Sequence, residues 1–106
     1  RARGRLSGRR RPTDAPFGEA VVALMADTGT SYRQLAARAG LSAGYLNHIV
    51  HGNRPVPSNE VLAQIAAALG VEPDHFREVR VRLVTERLEE LPDLVNRLYK
   101  KLSEQG

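Results

Sequence analysis

The stretch "RQLAARAGLSAGYLNHIV", residues 33–50, constrains the fold more than any other part of the chain. It holds two runs with helical apolar spacing, separated only by "AGL". Leu35, Ala36 and Ala39 mark one face of the first run, and Leu46, Ile49 and Val50 mark one face of the second. Helices joined by three residues with a central glycine must cross at a steep angle. Gly40 can take a positive φ there at little cost. Ala36 is small enough for the next helix to approach closely, and Leu46 and Ile49 plug the angle between the two.

The same helical spacing continues on both sides, and period-2 alternation is almost absent, so the chain reads as all-α. A first helix is expected over about 17–27, with Phe17, Val21, Leu24 and Met25 inward and Gly29 at its end. Ser31 followed by Gln34 has the spacing of a capping box for the second helix. Ser42 caps the third, and Gly52 closes it in the left-handed conformation that glycine takes cheaply. "NRPVP" reads as a rigid connector. A fourth helix starts near Ser58, carries Val61, Leu62, Ile65 and Leu69, and ends at Gly70. Pro73, in a favoured first position, is expected to open a fifth helix.

The tail differs. Val81, Val84, Leu88, Leu91, Val95, Leu98 and Leu102 recur at alternating steps of three and four, which is a heptad seam. Pro92 interrupts it, because proline inside a helix costs ~3 kcal/mol; a kink or break is expected, with a final helix near 93–104. Leu83, Leu94 and Tyr99 add apolar surface off the seam, which suits packing on the bundle and on a partner together. The expected organisation is a basic arm over 1–16, a bundle domain over 17–79, and a helical extension over 80–106 that serves as a dimerisation element.

Charge is divided in the same way. Of sixteen Lys and Arg residues, Arg1, Arg3, Arg5, Arg9, Arg10 and Arg11 fall in the first eleven positions, with no acid among them. The remaining ten face all twelve acids, so the rest of the chain is mildly acidic. The arm has too few apolar side chains to build a core and is expected to be disordered when free. No acid lies between Asp27 and Glu60, whereas Arg33, Arg38 and Arg54 do. Both basic regions could meet a polyanion.

On a helical wheel, Gly44, Asn47, His48 and His51 occupy the outer side of the third helix, with Ala43 at its tip. "SYRQLAARAGLSAGYLNHIVHGNRPVPSNEVLAQIAAALGV" resembles the lambda-repressor/Cro-like helix-turn-helix family, also called the XRE type, over about residues 17–79. The resemblance implies a compact bundle of five helices that binds operator DNA as a symmetric dimer, with its third helix in the major groove. On that reading the DNA-binding residues are Tyr32, Arg33, Ser42, Ala43, Gly44, Asn47, His48, His51, Asn53 and Arg54, joined by the six arm arginines. Family members often carry long polar side chains where this chain has Ala43 and Gly44. Ala43 could touch a thymine methyl, and Asn47 could bond adenine with both ends of its amide. A flexible basic arm can follow the backbone or enter a narrow minor groove.

Other classes fit less well. A chain of 106 residues buries only about two thirds of its surface on folding, which leaves little room for a large catalytic cavity. There is no phosphate loop, nucleophile elbow or paired carboxylate, so no enzyme and no cofactor are expected. His48 and His51 have ligand spacing, but zinc needs three or four ligands, and His75 is the only other histidine. Cysteine is absent, which excludes disulfides and thiolate metal sites. No apolar run approaches the ~18 residues of a membrane span. No apolar stretch follows the basic start as a secretory leader would require, so the expected setting is cytoplasmic, at the nucleoid when bound. The leading expectation is a dimeric repressor. The alternatives are a protein-interaction module of antitoxin or adaptor type and a sequence-tolerant nucleoid-type DNA binder.

Overall fold

The computed structural model describes residues 11–105, so Arg1, Arg3, Arg5, Arg9 and Arg10 of the expected arm lie outside the described residues. Among the described residues the architecture is all-helical: α1 (Phe17–Thr28), α2 (Tyr32–Ala39), α3 (Ala43–Val50), α4 (Asn59–Leu69), α5 (Arg77–Glu89) and α6 (Pro92–Gln105), with a 3-10 turn at Pro73–His75. The apolar faces expected for the first three helices are all buried, as are Leu62, Ile65 and Leu69 of α4. Leu35, Leu46, Leu62 and Ile65 are fully enclosed and form the centre.

Local signals place the helix ends. Gly29, Gly40, Gly52 and Gly70 all have positive φ. At Gly40 φ is 74°, and the next amide, of Leu41, donates to the carbonyl of Ala36 at 2.9 Å. That folds the chain back sharply enough for α3 to pack against α2. The other end of α3 is fixed by a contact that periodicity does not reveal. α1 passes so close to the carbonyl oxygen of Val50 that a Cβ at Gly18 would overlap it.

One expectation needs correction. Pro73 does not open a fifth helix; it opens the 3-10 turn, and α5 begins at Arg77. Phe76 between them is extended, at φ −83° and ψ 130°. This puts its ring in the core, edge-on to Phe17 with centroids 5.4 Å apart. A continuous helix would also engage the His75 carbonyl, which here accepts from the Thr13 amide at 3.2 Å and from Arg80 at 3.0 Å.

α5 stitches the bundle together through three charged side chains. Glu78 Oε2 accepts from the Phe17 amide at 3.0 Å; Pro16 supplies no cap of its own, and a carboxylate suits the positive end of α1. Arg80 donates to the carbonyls of Thr13 and Asp74 as well as His75. Its ion pair with Asp14 adds little, since that carboxylate is 99% exposed. Arg82 donates to the carbonyls of Pro57 and Val56 and to the Asn59 side chain, at 2.7, 3.2 and 2.8 Å. The expected boundary at 79/80 thus falls inside α5, and Arg80 and Arg82, just beyond it, bond back across it.

The tail breaks at the proline. α5 ends at Glu89, the Leu91 amide bonds to the Leu88 carbonyl, and Pro92 is the first residue of α6. α6 packs chiefly on α5, and none of its residues is buried. Leu88 is half-buried, but the other seam residues are exposed.

Two substitutions test this account by urea unfolding. Gly18→Ala is expected to lower the unfolding free energy by about 2 kcal/mol, from overpacking against backbone. Arg82→Ala is expected to cost about 2 kcal/mol, because it removes charged donors from partly buried acceptors.

Candidate nucleic-acid interface

α2, the Gly40 turn and α3 present one exposed surface. Its scaffold is capped locally. Ser31 Oγ accepts from the Gln34 amide at 3.1 Å, and Gln34 Oε1 accepts from the Ser31 amide at 2.9 Å, completing the capping box. Ser42 Oγ accepts from the Tyr45 amide at 3.1 Å, and its hydroxyl proton remains available as a donor. Each cap orders the first turn of a helix whose remaining N–H groups favour an anion.

The residues singled out in the sequence lie as follows. Ala43, Gly44, Asn47 and His48 are exposed along α3, Ser42 and His51 are exposed at its two caps, and Arg33 is exposed on α2. Asn53 and Arg54 are exposed in the connector that leaves α3. Arg33, Arg38 and Arg54 form no ion pair among the described residues. The surface from Thr28 to Asn59 therefore carries cations with no carboxylate of its own. Gly44 has open space where a Cβ would stand, so packing within the bundle does not require glycine there.

Two arrangements were not foreseen. Tyr32 is half-buried, and its ring stacks on His51, with centroids 6.1 Å apart and planes 28° from parallel. His51 Nδ1 lies 2.8 Å from the Asn47 carbonyl oxygen. A carbonyl only accepts, so Nδ1 carries the proton and Nε2 is left for another partner. These contacts hold the His51 ring between its own helix and the start of α2. The spacing of Asn47 and His51, four apart on a helix, permits the second contact; the first joins residues from different helices and leaves no local mark.

Of the arm, Arg11 is described and exposed. With Thr13, Glu19, Asp27 and His75 it lines a groove along the outer side of α1. Among the described residues no group of three or more His, Cys, Asp or Glu side chains could hold a metal ion. Nor is any helix among them long and apolar enough to cross a membrane.

A capped pair of short helices joined at a left-handed glycine, set in an all-helical bundle, defines the molecule as a helix-turn-helix protein. A family profile described as a helix-turn-helix domain matches residues 16–79, and the chain belongs to that family. Membership agrees with the lambda-repressor/Cro-like resemblance and suggests a DNA-binding regulator. No curated protein and no solved structure gives a significant match.

Replacing Ser42 by Ala is expected to cost about 1 kcal/mol of stability through loss of the cap. Gly44→Ala, in open space within a helix, is expected to add about 0.5–1 kcal/mol. Thermal or urea unfolding of each variant checks both.

Proposed function

We propose that the protein is a sequence-specific double-stranded DNA-binding transcriptional regulator, a dimeric repressor that reads a palindromic operator with α3. The observation that carries this reading is the exposed, acid-free α2–turn–α3 surface in a chain of the helix-turn-helix family. A major groove about 12 Å wide accepts one helix. Asn47 and His48 read base edges, Ala43 meets a thymine methyl, and Gly44 lets the α3 backbone come close. Tyr32, Arg33, Ser42, His51, Asn53 and Arg54 hold the flanking backbone. The arm arginines add contacts beyond the groove. Two such helices in a dimer sit about 34 Å apart, one turn of duplex. The setting is the cytoplasm, at the nucleoid.

One feature favours a second reading, a sequence-tolerant nucleoid-type binder. Ala43 and Gly44 supply no long side chain at the tip of α3, which shifts weight to backbone contacts and the arm.

Selection from a randomised duplex pool separates the two. The full chain and a chain lacking residues 1–11 are selected and sequenced at two salt concentrations. Enrichment of a palindrome by both supports the operator reader; binding without enrichment supports the nucleoid-type binder. No binding by either overturns both and leaves a protein-interaction module.

On an enriched site, Asn47→Ala is expected to cost about 1–3 kcal/mol and to relax preference at one position. Arg54→Ala is expected to weaken all sequences alike and to reduce the salt slope by about 0.9. Gly44→Ala is expected to bind more weakly although it is more stable. Titrations at several salt concentrations read all three effects.

A further inference from the structure

α5 and α6 leave an apolar surface that the bundle does not use. Val84 of α5 is 56% exposed, and Leu102 of α6 is 65% exposed. Leu83 and Val84 floor a groove of about 480 Å³ whose other lining residues are Glu86, Arg87 and Glu90. Val95, Leu98 and Leu102 form the apolar stripe of α6, and Leu91 continues it just before the helix. Lys101, three residues after Leu98, borders that stripe on one side; Arg97, four residues before Lys101, lies in the same row, which Glu104 ends.

Two acids, Glu86 and Glu90, outnumber Arg87 at the apolar groove on α5, and two cations, Arg97 and Lys101, outnumber Glu104 beside the apolar stripe on α6. Within one chain the two sets do not meet. Among the described residues neither Arg97 nor Lys101 forms an ion pair, nor does Glu86. Glu90 pairs only with Arg87, at 3.3 Å, with both side chains largely in solvent. A two-fold interface needs both halves of a complementary pair on one surface, and this tail carries both. α6, with 14 residues, is about 21 Å long, enough to cover the groove.

We infer that a second copy of this chain covers the tail, with α6 of each copy lying in the α5 groove of the other and Arg97 and Lys101 over Glu86 and Glu90. This rests on the dimer reading above and specifies which surfaces meet. The pairing is reciprocal, so every contact occurs twice. The acids on the face disfavour nucleic acid as its occupant. The heptad stripe of one helix is then not matched against the same stripe of its partner; it meets the other helix.

Charge exchange in the full chain tests this. One variant carries E86K and E90K, the other R97E and K101E. All four positions are exposed, so each variant is expected to keep the circular-dichroism spectrum of the parent. Sedimentation equilibrium is expected to show a dimer for the parent at tens of micromolar. Each variant alone is expected to have a Kd roughly tenfold higher, since it sets like charges together at both contacts. Mixed one to one, the variants place Lys against Glu in one contact and keep the native pairs in the other. Heterodimers are expected to regain the parent affinity and to be visible by native mass spectrometry. L98E in the α6 stripe is expected to be monomeric.

The failures are distinct. A monomeric parent overturns the dimer reading and this pairing together. A dimeric parent with either variant equally dimeric, or with no recovery on mixing, overturns the pairing and leaves the dimer standing.

Discussion

The closeness of α1 to the end of α3 governs how the rest of the bundle is arranged. A helix of eight residues cannot hold its own direction in water, so α3 has to be set from outside. At one end the Gly40 turn ties it to α2. At the other, the Val50 carbonyl fits against Gly18, where any side chain would collide. Between these ends Leu46 and Ile49 enter the core with little surface left in water. α3 thus has its inner face and both ends fixed, and what remains is an outer face whose side chains make few commitments to the fold. A reading surface needs that division, because residues free of structural duty can change without cost to stability.

The legible parts of the fold were those written over short stretches of chain. Ser31 and Gln34 are three apart and bond each other. The glycines that end helices do so through their own φ. The break at Pro92 follows from a missing donor and a crowded carbonyl. What the sequence hid were contacts between distant residues. Glu78 serves Phe17 from 61 positions away, and Arg80 reaches Thr13 across 67. Pro73 misled because its local preference for a helix start is real, but Phe76 finds more burial by leaving the helical path. The candidate surface was legible for a related reason. Exposure on α3 follows from periodicity alone, whereas the Tyr32–His51 stack depends on how two helices meet.

Beyond the matched region the chain has a different character. Up to α5 each helix contributes residues to one core, and the family match ends at residue 79. α6 contributes none. A helix with a continuous apolar stripe and no buried residue owes its stability to propensity and to whatever it meets. Under the proposed pairing the tail would couple to concentration in a way the bundle does not, since association would supply the burial its own fold leaves undone.

Arg82 closes a loop of chain without a covalent bond. It joins the helix after the 3-10 turn to the Pro57 carbonyl 25 residues earlier, and α4, the 3-10 turn and the start of α5 lie inside that loop. A noncovalent closure of this kind favours joint opening of its contents, because a segment inside gains less chain freedom while the guanidinium holds the loop ends together. In hydrogen exchange the amides of α4 and the first turns of α5 would then share one opening energy. The end of the connector, Val56 and Pro57, would open with that block, although by composition it looks like the part of the domain most ready to move.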